Sequence, residues 1–265
     1  MNKYKNLYTN GCSFTAGHEL KDEERWTVHL SKLLNLEHIN MAANGQSMDS
    51  IILNSVANLI ELDPRNTMVV IGLTWKERFG FLINKTTVNI TPEDIGYKGN
   101  QFNVKFSTWR RAKSPLSMDA KEIVDTSQES FLKEKDKHYL VMENFSNYYK
   151  ALVDLDLNLE LDLATKYVTN IVLLQSYLKE QGFEYRFVEW DSMLTQMNEK
   201  HHKYREEGIG IYNKELLPLY NKIDLSKVIN FKMKYKDYTG HPDAKQSIDI
   251  AKVINKKIKS DETLN

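Results

Sequence analysis

Hydrophobic positions in the first third of the chain switch repeatedly between a strand period and a helix period. Asn6–Asn10, centred on Leu7-Tyr8, predicts a short first strand. Trp26, Leu30, Leu33 and Leu34 then recur at helical spacing and predict a helix over Trp26–Leu34. Glu37–Met41 predicts a second strand. Ile51, Ile52, Val56, Leu59 and Ile60 predict a second helix over Asp49–Leu62, stopped by Asp63-Pro64. Met68–Leu73 is an unbroken apolar run rich in β-branched residues, as expected of a strand buried on both faces. Strand, helix, strand, helix, strand predicts a parallel sheet with right-handed crossovers.

From Phe79 to about Phe145 the pattern fades. Thr86–Thr91 reads as a hairpin, and the surrounding segments are rich in Lys, Asp, Glu and Ser. The stretch at about 80–145 is too polar to build its own core, so it reads as an insertion over the sheet after the third strand. A long helix is predicted over Leu159–Gln181, closed by Gly182. Tyr185–Trp190 returns as a strand, and Ser192–Glu207 is polar, as loop or helix. Gly208–Asn230 holds short apolar pieces. The last helix is predicted over Ala244–Ile258, with Ile248, Ile250, Ala251 and Ile254 apolar. The expected architecture is α/β: a three-layer α/β/α sandwich around a mostly parallel sheet, in one domain over 1–265.

Composition narrows the classes. Lys+Arg and Asp+Glu are both 36, which argues against a dedicated nucleic-acid binder with its basic face. A hydrophobic fraction of 41% fits a soluble globular protein and is too high for a disordered one. No stretch approaches the ~18 apolar residues of a membrane helix, and no apolar signal core follows Met1–Lys5. Cys12 is the only cysteine, so a reducing cytoplasm is the simplest compartment.

Four separated segments then fall at ends of predicted elements. Gly11-Cys12-Ser13-Phe14-Thr15-Ala16-Gly17 turns the first strand towards a helix. A serine between glycines there can expose its Oγ as a nucleophile; the same letters also spell an ordinary turn. Asn40–Ser47 follows the second strand, where Gly45 can present its N–H to an oxyanion and Ser47 can cap a helix. Ile71–Arg78 lies at the end of the third strand. Thr74 can donate a hydroxyl to an oxyanion, and Arg78 can bind an anion or pair with an acid on the surface. His241-Pro242 precedes the last helix, which fixes the imidazole in a loop suited to a general base, with Asp237 to orient it.

Together these segments resemble, in order and over nearly the full chain, the blocks of the SGNH/GDSL hydrolases. The Gly-Cys-Ser-Phe-Thr start resembles SGNH-like proteins of phage and bacterial genomes. The resemblance implies Ser13 as nucleophile and His241 as base, with the N–H groups of Ser13 and Gly45 as oxyanion donors. Three departures stand out. Cys12 replaces the family's aspartate, and Thr74 replaces the asparagine that completes its oxyanion hole. Tyr238 occupies the place of the acid, with Asp237 one residue earlier. Either Asp237 or a backbone carbonyl then orients the histidine.

Cys12 is a rival nucleophile, but neighbours on an extended segment point to opposite sides, which sends Cys12 into the core if Ser13 faces the site. His201-His202 lie in a polar stretch and do not form a metal pair. Neither metal nor cofactor enters this chemistry. The function expected is ester hydrolysis through an acyl-serine, the ester being a small molecule or an O-acyl group on a saccharide. Trp75 and Arg78 are the substrate-binding candidates, and Trp109 is a further aromatic suited to sugar stacking. The competing readings are an acyltransferase of the same fold and a non-catalytic glycan-binding or accessory phage protein.

Overall fold

The structure, a computed structural model, describes residues 3–74, 79–83, 86–90, 97–98, 101–102, 159–190, 194, 216–231 and 241–262. In chain order the strands are β1 (Asn6–Asn10), β2 (Glu37–Asn40), β3 (Thr67–Gly72), β4 (Phe79–Ile83), β5 (Thr86–Ile90), β6 (Tyr97–Lys98), β7 (Gln101–Phe102), β8 (Glu184–Glu189) and β9 (Val228–Asn230). The helices are α1 (Ser13–Ala16), α2 (Trp26–Leu34), α3 (Met48–Leu59), α4 (Leu159–Glu180) and α5 (Ala244–Glu262).

Five strands form one sheet in the order β2-β1-β3-β8-β9, and every pairing in it is parallel. The chain steps from β1 outward to β2 and then back past β1 to β3. With right-handed crossovers, that reversal puts α2 and α3 on opposite faces of the sheet. Two separate cores record this. On one face Tyr8, Val69, Ile71 and Phe187 pack with Ile51 of α3 and Ile171 and Leu174 of α4. On the other, Leu7, Val70 and Val188 pack with Trp26 and Leu30 of α2 and Ile250, Ile254 and Ile258 of α5. β3 is buried at all six positions, because helices cover both of its faces. Each such Val or Ile contributes about 1.5–3 kcal/mol of transfer free energy.

The reversal of direction also fixes where a site belongs. At the carboxyl ends of β1 and β3 the crossovers leave on opposite sides, opening a crevice between them. Both Gly11–Gly17 and Gly72–Thr74 start from that edge.

Several predicted details differ from the structure. The expected Thr86–Thr91 hairpin is instead the second strand of one: Phe79–Ile83 pairs antiparallel with Thr86–Ile90. Only Asn84-Lys85 separates the two strands. Gly80 interrupts the alternation of the first strand, which hid it. β9 was missed because three residues are too few to show a period. The apolar stripe of α2 is shifted: Thr27 and Ser31 are buried with Trp26 and Leu30, whereas Leu33 is 43% exposed. Ile248 of α5 is likewise exposed. The last helix also runs to Glu262, past its apolar stretch. There Asp261 accepts a hydrogen bond from buried Arg186 at 2.9 Å. Ser192–Glu207 falls outside the described residues except at Leu194, which is helical and buried. Among the described residues no helix is long and apolar enough to cross a membrane.

Candidate active site

The site begins with the way β1 ends. Asn10 is fully buried, and its side chain replaces the missing ladder. Its Nδ2 donates to the Ile51 carbonyl at 3.2 Å and to Ser55 Oγ at 3.0 Å, while its Oδ1 accepts from the Gly11 N–H at 2.8 Å. The strand end is thereby tied to α3. Gly11 follows at φ 155°, and a Cβ there would lie 2.3 Å from Thr15 Oγ1 and 2.8 Å from the Gly72 carbonyl. Only glycine allows the chain to pass that close. The turn then enters α1, a single helical turn starting at Ser13. α1 is pinned from the other side by the Trp26 indole, whose Nε1–H donates to the Phe14 carbonyl at 2.9 Å.

This turn brings Ser13 against His241, 228 positions away: Ser13 Oγ lies 2.8 Å from His241 Nε2. For the imidazole to take the hydroxyl proton, Nε2 is the bare nitrogen and the serine O–H donates to it. Ser13 is 5% exposed and His241 half-buried. The His241 ring lies against Phe14, with centroids 4.9 Å apart, and Phe14 packs in turn on Trp190 at 5.5 Å. An apolar floor therefore limits how far the imidazole can rotate. His241 Nδ1 is buried as well. Cys12 is fully buried in the α2–α5 core.

The loop after β2 is laid along the same strand end. The Met41 N–H donates to the Thr9 carbonyl at 2.8 Å and the Ala43 N–H to the Gly11 carbonyl at 3.2 Å. Asn40 Oδ1 accepts from the Ala42 N–H and from the Thr9 hydroxyl, both at 3.1 Å, and turns the chain. Gly45 adopts φ 75°, in the left-handed region that favours glycine. Ser47 caps α3 by accepting from the Ser50 N–H at 3.3 Å. Nearby on β2, His38 is held below the usual histidine pKa, first by burial and then by the Arg25 charge, with Asp22 opposing.

Thr74 is buried two residues past β3. The turn it belongs to is anchored by the Leu73 N–H on the Val188 carbonyl at 2.8 Å. Asp237, Trp75, Arg78, Trp109 and His201-His202 lie outside the described residues.

Two side chains at the site were not singled out from the sequence. His18 lies two residues past α1, and Asn44 directly precedes Gly45. Asn44 Nδ2 donates to His18 Nδ1 at 2.9 Å, and the His18 ring faces that of His241 with centroids 4.8 Å apart. The available signal was adjacency to two candidate motifs, and adjacency alone does not distinguish a site residue from a turn residue.

No family model matches the sequence, and no curated protein matches it. Solved structures do. The psychrotrophic esterase EstA from Pseudoalteromonas sp. is 13% identical, with 97% of each chain covered and a TM-score of 0.46. TesA is 10% identical, covering 97% of this chain and 99% of its own, also at 0.46. A protein assigned to the G-D-S-L family of lipolytic proteins, from Desulfitobacterium hafniense DCB-2, is 8% identical, with 96% and 99% covered and a TM-score of 0.43. Each of these likenesses extends over nearly the whole length of this chain.

Proposed function

We propose that the protein is a serine-dependent ester hydrolase of the SGNH/GDSL type. The observation that carries this is the 2.8 Å contact between Ser13 Oγ and His241 Nε2, at the carboxyl edge of the sheet where the strand order reverses. In the proposed reaction Ser13 Oγ attacks the ester carbonyl carbon as His241 Nε2 takes the hydroxyl proton. The N–H groups of Ser13 and Gly45 and the Thr74 hydroxyl receive the developing oxyanion. The tetrahedral adduct then expels the alcohol, which leaves with the proton held by His241. Water, deprotonated by His241, attacks the acyl-Ser13 in turn and releases the acid. Asp237 is the proposed partner of His241 Nδ1, while Trp75 and Arg78 are the proposed substrate contacts. The whole chain is proposed as one domain bearing an insertion at about 80–145. Cytoplasmic placement, suited to a chain with one cysteine, is part of the proposal.

Hydrolysis of p-nitrophenyl acetate by the intact protein, Ser13→Ala and His241→Ala tests this reading. Both variants are expected to lose at least ~10³-fold in kcat/KM. Equal turnover by Ser13→Ala and the parent protein refutes it. Acetylated saccharides are the natural esters to assay first, since an O-acyl saccharide is the substrate proposed.

A further inference from the structure

We infer that His18 is a positioning residue of this site: it couples the loop that presents Gly45 to the turn that presents Ser13, and holds the His241 ring between them. The inference rests on the reading of Ser13 and His241 as an ester-cleaving pair.

Three observations carry it. First, the Asn44 amide donates to His18 Nδ1 at 2.9 Å, so a side-chain bond joins the residue before Gly45 to the residue after Gly17. Second, the His18 ring lies against His241, with centroids 4.8 Å apart and planes at 56°. Phe14 contacts that ring too, at 4.9 Å, so two neighbours limit rotation of the imidazole. Third, the backbone around His18 is in an unusual shape. Gly17 has φ 71° and Glu19, which is not glycine, has φ 64°. A left-handed non-glycine residue is strained and persists only when its surroundings over-determine it. Here the Ser13 carbonyl accepts from the His18 N–H at 3.1 Å and fixes the turn to the nucleophile itself.

The consequence is geometric. With Nδ1 occupied as an acceptor, neutral His18 carries its proton on Nε2, which lies 3.7 Å from Glu19 Oε1. His18 reaches neither Ser13 Oγ nor the transferred proton; it acts through Asn44 and His241. Its removal therefore lowers the rate of acyl transfer more than it weakens ground-state binding.

The experiment uses His18→Ala, Asn44→Ala, the double variant and His18→Asn, whose Oδ1 can stand where Nδ1 stood. With p-nitrophenyl acetate, each single alanine variant is expected to lose ~10-fold or more in kcat, since small misplacements at a reacting centre are that costly. KM should stay within about twofold, the double variant should be no worse than the less active single one within about threefold, and His18→Asn, which keeps the Asn44 bond but not the ring contact, should recover part of the loss. An undiminished kcat, additive losses, or a fall in Tm that His18→Asn does not restore overturns the inference. If the intact protein proves no better than Ser13→Ala, the ester reading falls, and imidazole ¹⁵N spectra decide the role of His18. Displacement of the His241 resonances in both His18→Ala and Asn44→Ala upholds the coupling; unmoved resonances overturn it.

Discussion

Substituting Gly72 by alanine tests whether α1 is held in place by packing against β3. A Cβ at Gly72 would lie 2.1 Å from Thr15 Oγ1, more than an ångström inside ordinary contact, and 3.3 Å from Trp190 Nε1. Thr15 is fully buried and cannot swing out. Rotation about its χ1 offers the larger methyl in place of the hydroxyl. The helix must shift instead, at a cost of about 3 kcal/mol, the upper part of the overpacking range. Because α1 begins at Ser13, the same shift spoils the contact with His241 and is expected to lower esterase kcat by ~10–100-fold.

In a Thr15→Ala background the obstruction disappears. The nearest remaining atoms are Trp190 Nε1 at 3.3 Å and the residue-15 Cβ at 3.4 Å, close to normal contact. Thr15→Ala on its own loses about 0.8 kcal/mol of methyl burial. Against this, it relieves a buried hydroxyl with no hydrogen-bond partner among the described residues, worth about 1–3 kcal/mol. Its net effect is therefore a stabilisation of about 0–2 kcal/mol. Gly72→Ala should then cost under ~1 kcal/mol, giving a coupling of about 2 kcal/mol in the cycle. Urea unfolding of all four proteins at neutral pH measures it. An equal cost of Gly72→Ala in both backgrounds refutes the packing argument.

Asn10→Ala strands the Gly11 N–H and the Ser55 hydroxyl in the core and should cost about 2–4 kcal/mol in urea unfolding; under ~1 kcal/mol would show the anchor to be dispensable. Trp26→Phe removes the indole N–H from the Phe14 carbonyl and leaves a gap at a fully buried position, and about 2–4 kcal/mol of stability should go with it by the same measurement. Burial works to raise the Asp261 carboxyl, but Lys257 and Arg186 outweigh it and hold the group below its ordinary value. A depressed carboxyl stabilises the fold fully above the unfolded pKa of roughly 3.9 and loses that contribution as pH falls through the folded value. The stability gap between the parent protein and Asp261→Asn should therefore be constant from pH 8 to 5 and narrow progressively as pH falls below about 4; a gap that stays the same at every pH down to about 2 contradicts the pairing with Arg186.

The main framework was legible because it is local. β1 and α2 fall on the residues their periods predict, and β3 is a β-branched run with no other use than burial on two faces. The candidate segments were legible too, because glycines, a serine and a His-Pro pair were grouped at element ends. What the chain alone determined was thus the menu of elements and the chemistry available at each. Proximity was beyond it. Nothing along the sequence states that residue 13 meets residue 241; that follows from strand order, since the sheet reverses between β1 and β3 while α5 returns beside α2. His18 shows the same limit from the other side. It directly follows the Gly11–Gly17 motif, yet its ring contact with His241 and its bond to Asn44 exist only once two crossovers have closed. Periodicity encodes which face a residue takes within its own element, whereas a site is made between elements, and the tertiary fold alone decides which ends meet.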